Sequence, residues 1–252
     1  MKQIAGSLKF WNAVISHGRP ENVESIKSLV GDATFYVDKN EVADYKKAGA
    51  KNVVGCVPNI CNARNAAIKD AGKLPCIQTS DDLKGLKRIK ILGGKRIKVN
   101  VSFLDVVYHL VNSCVEVGAL FGGIAVSNNP LNYTGKDVDT NKLVVNDLIC
   151  VMPKAGLFDE SVALKEDYDF CIRHLITVGR IVRLNNILGD FPHRQNKGGA
   201  NLYRTEKKED EVTKVLFNKW GPLIKPHNTR KGQVMLNYKA IAQARANYLS
   251  CL

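Results

Sequence analysis

The fold is indicated most clearly by residues 60–83, which read ICNARNAAIKDAGKLPCIQTSDDL. This stretch predicts an amphipathic helix that carries Arg64 and Asn65, a turn, and a short strand that ends in Asp81 and Asp82. Adjacent acids repel each other, and the carboxyl end of a strand is where open α/β sheets bind ligands. Their oxygens suit a hard divalent cation, Mg²⁺ or Mn²⁺, together with a diphosphate. A solvated acidic turn is the simpler interpretation of this pair alone.

Apolar strand patterns alternate with helical patterns around this stretch. Strands are predicted at residues 13–16, 33–37 and 52–57, and helices at 21–30 and 42–48. Further along we predict a helix at 103–118, strands at 123–127 and 142–145, a helix at 167–178 and a strand at 180–188. Short strands separated by helices predict an α/β fold with a mostly parallel sheet.

Composition limits the possible classes of protein. Of the 252 residues, 45% are hydrophobic and 24% are charged, as in ordinary globular proteins. No apolar run approaches the roughly 20 residues that span a bilayer, and the first residues do not resemble a signal peptide. The seven cysteines lie mostly in apolar segments without a C-x-x-C pair, which indicates reduced packing residues. We therefore expect a cytoplasmic protein of one domain with no membrane partner.

The net charge of +13 is concentrated in two segments. Residues 84–98 contain seven bases and no acid, and residues 193–252 contain twelve Lys or Arg against four Asp or Glu. Such a surplus favours a polyanionic partner, although it also serves solubility. Because one segment directly follows the acidic pair, a macromolecule with phosphates is expected near that pair.

Four short motifs occur in one order along the chain. They are Ser16-His17-Gly18-Arg19-Pro20 after the first strand, Ala63-Arg64-Asn65-Ala66, Ser80-Asp81-Asp82, and Lys165-Glu166-Asp167 before a helix. Together they resemble the GT-A glycosyltransferases, a nucleotide-sugar-dependent class with a Rossmann-like first half. The resemblance implies a single GT-A domain over residues 1–252. In it residues 1–83 bind the nucleotide, 84–190 bind the acceptor, and 191–252 form a basic extension.

Two later motifs carry a narrower resemblance. Residues 164–170 (LKEDYDF), Arg173-His174 and residues 196–205 (NKGGANLYRT) resemble the phage TET-associated glycosyltransferases, which are implicated in decorating hydroxymethylated pyrimidines in DNA. This similarity implies inverting transfer from a UDP-sugar to 5-hydroxymethylcytosine or a related base in phage DNA. The alternatives are a glycan, a protein or a DNA-attached sugar as acceptor. An inactive relative that binds nucleic acid is the alternative of another class.

The resemblance implies a metal site at the acidic pair. Asp82 would hold Mg²⁺ or Mn²⁺ against the donor diphosphate, and Asp81 would bind the ribose, or the metal through water. Ser80 stands where the family pattern has an aspartate, which affects the ribose contact. His193 or His227 would supply a third ligand, although each could be an ordinary surface histidine.

The donor site implied by the resemblance draws on three strand ends and the Arg-Asn helix. Asp38 would recognise the base or ribose, or would cap a helix. Arg64 would pair with a phosphate, hold the carboxylates in place, or face solvent. The expected donor-binding residues are Ser16, His17, Arg19, Asp38, Arg64, Asn65, Ser80 and Asp81.

Asp167 is the expected catalytic base, because inverting transfer needs a carboxylate within hydrogen-bond reach of the acceptor hydroxyl. Glu166 could exchange roles with it. The alternative is that both acids simply complement the dipole of a helix N-terminus.

Contacts to DNA phosphates are expected from the basic segments and from a Lys-Gly-Gly turn whose backbone could approach an anion. A plain surface turn is the alternative for that loop. The expected residues are Lys84, Lys87, Arg88, Lys95, Arg96, Arg194, Lys197, Gly198, Gly199 and Arg204. Phe191, Tyr203 and Trp220 could stack a displaced base, although Trp220 also suits a core anchor.

Overall fold

The structure is a computed structural model that describes residues 8–192, 198–199, 205–229 and 232–252. Its strands are β1 (Trp11–Ile15), β2 (Thr34–Asp38), β3 (Asn52–Cys56), β4 (Cys76–Ser80), β5 (Gly85–Leu92), β6 (Lys95–Asn100), β7 (Phe121–Ile124), β8 (Val138–Asp139), β9 (Leu148–Val151), β10 (Val182–Leu184), β11 (Ile187–Asp190), β12 (Ile224–Pro226) and β13 (Val234–Leu236). Its helices are α1 (Val23–Val30), α2 (Val42–Lys47), α3 (Ile60–Ala71), α4 (Phe103–Val117), α5 (Glu166–Thr177), α6 (Glu206–Trp220) and α7 (Tyr238–Ser250).

An eight-stranded sheet in the order β3-β2-β1-β4-β9-β7-β10-β8 forms the centre of the molecule. The first four strands of this order are parallel, β9 runs antiparallel between β4 and β7, and β10 is parallel to β7. Helices α3 and α5 pack on one face, and α1 and α4 pack on the other. The predicted α/β class, with a mostly parallel sheet flanked by helices, is confirmed.

Local sequence explains where the central helices begin and end. The side chain of Asn59 accepts a hydrogen bond from the amide of Cys61 at 2.8 Å, which caps the start of α3. Ser102 caps α4 in the same way, by accepting from the amide of Asp105 at 3.1 Å. Gly118 ends α4 in the left-handed conformation with φ of 64°. The predicted helix at 103–118 is therefore confirmed nearly to the residue.

The basic segment 84–98 forms most of a β-hairpin. β5 and β6 pair antiparallel, and β11 joins the other edge of β5 to make a three-stranded sheet. Gly93 and Gly94 connect the two strands, with φ of 54° and 74°. A two-residue turn of this kind needs positive φ at both positions, which glycine adopts without strain.

Three strand predictions in the middle of the chain need correction. Residues 142–145 do not form a strand: the amide of Leu143 donates to the Tyr238 hydroxyl, and the amide of Val144 donates to the Cys171 sulfur. Side chains satisfy this backbone instead of a neighbouring strand. The strand predicted at 180–188 is β10 and β11, which lie in different sheets. The strand predicted at 123–127 is β7, which ends at Ile124.

The cysteines and Trp220 occupy structural positions. Six cysteines are buried and Cys251 is exposed, and all seven are free thiols. Burial raises the pKa of Cys76 to about 12, which makes this thiol unreactive at neutral pH. Trp220 packs against the core and donates its indole N–H to Asp169 at 2.9 Å, so it is a core anchor. Over the described residues, no helix is long and apolar enough to cross a membrane.

Candidate active site

The acid pair, Asp81 and Asp82, lies at the carboxyl edge of the large sheet. β1 and β4 are parallel neighbours, and the register pairs Ile15 with Ser80 at their last residues. The loop that follows β1 is therefore adjacent to the acid pair. The hydroxyl of Ser16 donates to Asp81 Oδ2 at 2.6 Å, and the side-chain amide of Asn22 donates to the same oxygen at 3.4 Å.

Arg19 supplies the positive charge that faces the acid pair. Its Nε donates to Asp81 Oδ2 at 3.0 Å, and its Nη2 forms an ion pair with Asp81 Oδ1. Its Nη1 lies 3.4 Å from Asp82 Oδ2. All three side chains are buried, with exposed fractions of 8%, 1% and 7% for Arg19, Asp81 and Asp82. This arrangement compensates two buried carboxylates with one guanidinium.

The pKa of Asp81 reflects this environment. Burial raises it from 3.8 to about 6, although Arg19 and the hydroxyl of Ser16 oppose the rise. The charge of neighbouring Asp82 contributes to this rise, because two carboxylates side by side disfavour joint ionisation. The local charge is therefore set by three coupled groups and not by two independent acids.

Among the described residues, the acid pair is arranged around Arg19 and does not fit the divalent metal that the family resemblance implies. Both oxygens of Asp81 already accept hydrogen bonds, from Ser16, Arg19 and Asn22. Within the described ranges, no group of three His, Cys, Asp or Glu side chains could hold a metal ion. His227 lies just after β12, where its Nδ1 accepts from the amide of Thr229 at 3.2 Å. His193 lies outside the described residues.

Gly198 and Gly199, expected to contact phosphate, pack on Arg19. The amide of Gly199 donates to the carbonyl of His17 at 2.8 Å, so it is not presented to an anion. A Cβ at Gly199 would lie 3.0 to 3.1 Å from the terminal atoms of the Arg19 guanidinium. In the described residues this pair packs on Arg19, and its contact with phosphate stays a prediction. Lys197, Arg194, Arg204 and Tyr203 lie outside the described residues.

The turns after β1 and β2 hold two further predicted donor residues. The His17 ring nitrogen Nδ1 lies 3.3 Å from the Glu41 carboxylate, and the amide of Gly18 donates to the same carboxylate at 2.9 Å. Asp38 accepts from the amide of Asn40 at 2.9 Å and so stabilises the turn before α2. The N-cap of α2 is Glu41, so Asp38 does not cap this helix, and its role in recognising the base or ribose stays a prediction.

Arg64 lies inside the protein, where it holds a carboxylate. Its Nη1 donates to Gln78 Oε1 at 3.2 Å, and its Nη2 donates to the carbonyl of Asn146 at 2.9 Å. Its Nε lies 3.4 Å from Glu166 Oε1. The solvent-facing role considered for Arg64 is wrong, since 5% of its surface is exposed. The carboxylate that it faces is Glu166 and not the acid pair, a contact that the sequence analysis did not predict.

Asn65 and Glu166 also have internal partners. The side-chain Nδ2 of Asn65 donates to the backbone carbonyl of Phe158 at 3.0 Å, and its Oδ1 accepts from the backbone amide of Phe158 at 2.8 Å. These two hydrogen bonds hold the backbone at Phe158 against α3. Glu166 faces Arg64 and also accepts a hydrogen bond from the side-chain amide of Asn146 at 3.3 Å. Only 7% of the surface of Glu166 is exposed. Asn65 and Glu166 therefore shape the site from within the protein.

Asp167 has the environment of a general base. It lies in the first turn of α5, half-buried, and its Oδ1 accepts from the amide of Tyr168 at 2.9 Å. Burial, followed by the charge of Glu166, raises its pKa to about 7, and the charge of Asp147 adds to the rise. A carboxylate that titrates near neutral pH is suited to accept a proton from a hydroxyl.

Asp147 is a site residue that the sequence analysis did not identify. Its carbonyl accepts from the amide of Ser80 at 2.9 Å, and it lines an open cleft of about 460 Å³. Asn146, its neighbour, binds both Arg64 and Glu166. The polar pair Asn146-Asp147 directly before an apolar strand was the available signal. The cleft is lined by Ala125, Val126, Ser127, Asn128, Asp147, Gly189, Asp190, Phe191 and Pro192.

The basic hairpin, β5 and β6, lies near one wall of this cleft. The amide of Lys84 donates to the carbonyl of Asp190 at 2.8 Å, which ties the start of the hairpin to the cleft lining. Lys84, Lys95 and Arg96 are exposed, whereas Lys87 and Arg88 are half-buried. Arg96 also donates to the carbonyl of Tyr133 at 2.9 Å. The hairpin therefore presents positive charge beside the cleft.

Fold and site together define an α/β protein with two acid centres at one edge of its main sheet. A scan against protein-family models finds no match, and a search of curated proteins finds none. Among solved structures, the chain is similar to S. aureus TarS 1–349, with a TM-score of 0.47 and 13% identity over 96% of this chain and 70% of that chain. A similarity of this size carries no argument about activity.

Proposed function

We propose that this protein is a GT-A glycosyltransferase that moves a sugar from a UDP-sugar to a hydroxymethylpyrimidine, such as 5-hydroxymethylcytosine, in phage DNA. The observation that carries the proposal is the position of Asp167. A carboxylate with a pKa of about 7 lies close to Asp147, whose backbone is hydrogen-bonded to the residue before the acid pair. A candidate base and the strand ends suited to a nucleotide thus lie in one region of the fold.

The donor end of the site is the carboxyl edge formed by β1 and β4. Open α/β sheets bind nucleotides outside the carboxyl ends of their strands, where loops present backbone and side-chain groups. Ser16, Arg19 and Asp81 lie at this edge in one hydrogen-bonded group. Mg²⁺ or Mn²⁺ would stabilise charge on the leaving diphosphate, but the acid pair as arranged around Arg19 does not form its site. No step is therefore assigned to a metal ion.

The transfer step is assigned to Asp167. Its carboxylate accepts the proton of the acceptor hydroxyl while the hydroxyl oxygen bonds to the anomeric carbon of the sugar. The bond between that carbon and the diphosphate oxygen breaks, and UDP leaves with the bonding electron pair. Attack from the side opposite UDP inverts the anomeric centre. Glu166 is given no part in this proposed step, because it faces Arg64 inside the protein.

The acceptor is assigned to DNA because of the charge distribution. Exposed Lys84 precedes the hairpin beside the cleft, and exposed Lys95 and Arg96 lie at its turn, in a chain of net charge +13. Such side chains neutralise backbone phosphates and set register without reading sequence. The hydroxymethyl base would then reach Asp167 from the duplex or after flipping. A DNA-modifying phage enzyme acts in the cytoplasm of the infected cell, where free thiols stay reduced.

The experiment is to incubate the full chain with UDP-glucose or other UDP-sugars and a duplex that carries 5-hydroxymethylcytosine. Digestion to nucleosides and mass spectrometry should show the added mass of one sugar residue on the modified base. An identical duplex with unmodified cytosine is the control and should remain unchanged. Transfer to an oligosaccharide or a protein but not to this duplex would assign the acceptor to those classes instead.

An inactive nucleic-acid-binding protein is the alternative of another class. It predicts binding of the duplex without any mass shift and without hydrolysis of the UDP-sugar. Asp167→Asn separates the two functions, because it should leave duplex binding intact while transfer is lost. Asp44→Asn is the matched control, since Asp44 is an exposed acid in the first turn of α2.

A further inference from the structure

We infer that Arg19 is the resident cation of the acid pair and occupies Asp81 and Asp82 in place of a divalent metal. The inference deepens the proposed function, on which it rests for the identity of the donor. It states how the donor end of that site is charged. Each guanidinium nitrogen of Arg19 faces one of the two acids: Nε and Nη2 face Asp81, and Nη1 faces Asp82.

The backbone around Arg19 fixes this placement. The amide of Arg19 donates to the Tyr45 hydroxyl at 3.1 Å, and its carbonyl accepts from the amide of Asn22 at 3.1 Å. Tyr45 is fully buried, and its hydroxyl also bonds Ser16. Because the backbone amide and the carbonyl of Arg19 are both hydrogen-bonded, its side chain is preorganised to contact Asp81 and Asp82.

Gly198 and Gly199 cover the outer side of Arg19. A Cβ at Gly198 would lie 2.8 Å from Arg19 Cγ, and one at Gly199 would lie 3.0 to 3.1 Å from the guanidinium. The two residues can pack this closely against Arg19 because glycine has no side chain. The guanidinium is thus enclosed between carboxylates and backbone, which explains its low exposure.

The occupied carboxylate explains why a metal is kept out. Mg²⁺ requires nearly ideal octahedral geometry with direct oxygen contacts of roughly 2.0–2.1 Å. Asp81 already receives donors on both oxygens, and one of its donors is a full positive charge. A second cation would have to displace the guanidinium or share a carboxylate with it, against like-charge repulsion. The positive charge at the acid pair is therefore supplied by the side chain of Arg19.

The test measures Mn²⁺ binding to the purified full chain without substrate, by electron paramagnetic resonance of free Mn²⁺. Wild type should show no site with a dissociation constant below about 1 mM. Arg19→Met, which leaves both carboxylates without their cation, should bind Mn²⁺ at least about tenfold more tightly. Adding Asp82→Asn to that variant should remove the gain, as expected for loss of a metal ligand.

Arg173→Met is the control for removal of an arginine that pairs with a buried aspartate, although Arg173 itself is half-buried. Arg173 lies 3.2 Å from Asp169, but Asp169 keeps Lys219 at 2.6 Å. This variant should therefore gain no Mn²⁺ site. If Arg19→Met does not fold, wild type and Asp82→Asn still decide the question. Tight Mn²⁺ binding by wild type that Asp82→Asn abolishes would overturn the inference, as would a folded Arg19→Met that binds no Mn²⁺.

The outcome is separable from the proposed function. Sugar transfer by wild type that is unchanged in excess EDTA supports the inference together with the function. Transfer that stops in EDTA and returns with Mn²⁺ overturns the inference but leaves the function standing. If wild type transfers no sugar under any condition, the proposed function fails, and the Mn²⁺ measurement still decides the inference.

Discussion

The backbone carbonyl of Asp147 accepts a hydrogen bond from the amide of Ser80 at 2.9 Å. Ser80 ends β4 directly before the acid pair, and the Asp147 carboxylate contributes to the raised pKa of Asp167. One residue therefore connects the surroundings of both acid centres. Because β9 starts immediately after Asp147 and pairs with β4, the sheet itself fixes this connection.

Removal of Arg64 should destabilise the protein through Glu166. Arg64→Met leaves the buried Glu166 carboxylate without the guanidinium that faces it at 3.4 Å. Loss of one partner of a buried ion pair costs about 3–5 kcal/mol in the free energy of unfolding. Urea denaturation of the variant measures this loss.

The control for this prediction is the double variant Arg64→Met/Glu166→Gln. It removes the uncompensated charge, so at least about half of the lost stability should return. Additive losses in the two single variants and the double variant would show that the pair is not coupled.

A side chain at position 199 should disturb Arg19. Gly199 and Gly93 have similar positive φ angles of 63° and 54°, but a Cβ at Gly93 would meet nothing within 4 Å. Alanine at either position therefore costs about the same backbone strain, roughly 1 kcal/mol. Gly199→Ala should lose about 1–2 kcal/mol more, because its Cβ meets the guanidinium. Equal losses of unfolding free energy would contradict the close packing.

The basic hairpin should dominate the salt dependence of DNA binding. Lys84→Ala/Lys95→Ala removes two exposed charges, one beside the cleft and one at the turn of the hairpin. The slope of log affinity against log salt should fall by about 2 in magnitude, uniformly across DNA sequences. Lys46→Ala/Lys47→Ala on α2 is the charge-matched control, measured by fluorescence anisotropy. An equal effect of both double variants would indicate binding without a preferred face.

Asp167 should make the stability of the protein depend on pH. Its pKa is raised from 3.8 to about 7, so the folded state binds the proton more tightly than the unfolded state. Stability should therefore fall as pH rises between about 4 and 7, and Asp167→Asn should remove this contribution. At pH 8 the variant should be more stable than wild type by up to about 4 kcal/mol, and at pH 4 it should not differ. If the stabilities of the variant and of wild type differ by the same amount at pH 4 and pH 8, the raised pKa of Asp167 is contradicted.

The fold was predictable from sequence because its main signals are local. Apolar runs of about five residues alternate with helical periods in the first third of the chain, and caps such as Asn59 mark helix starts. The segment 142–145 misled the prediction because Val144 is apolar and buried, as in a strand. Its amide binds a cysteine sulfur from α5, a long-range contact that no local pattern reveals.

The candidate site was only partly predictable for the same reason. The acid pair and Asp167 could be identified from residue type and from position at strand and helix ends. The partners of Arg19 lie 62 and 63 positions away in sequence, and they become neighbours only because β1 and β4 pair in parallel. Asp147 likewise joins the site through the pairing of β9 with β4.

The most direct test of the account is the single-turnover rate of sugar transfer to 5-hydroxymethylcytosine in duplex DNA, measured from pH 5 to pH 9. Wild type should transfer the sugar with a rate that rises through about pH 7, as Asp167 loses its proton. Asp167→Asn should be slower by a factor of about 10² to 10⁴, while Asp44→Asn should match wild type. A rate that is unchanged in Asp167→Asn would contradict the assignment of Asp167 as the base.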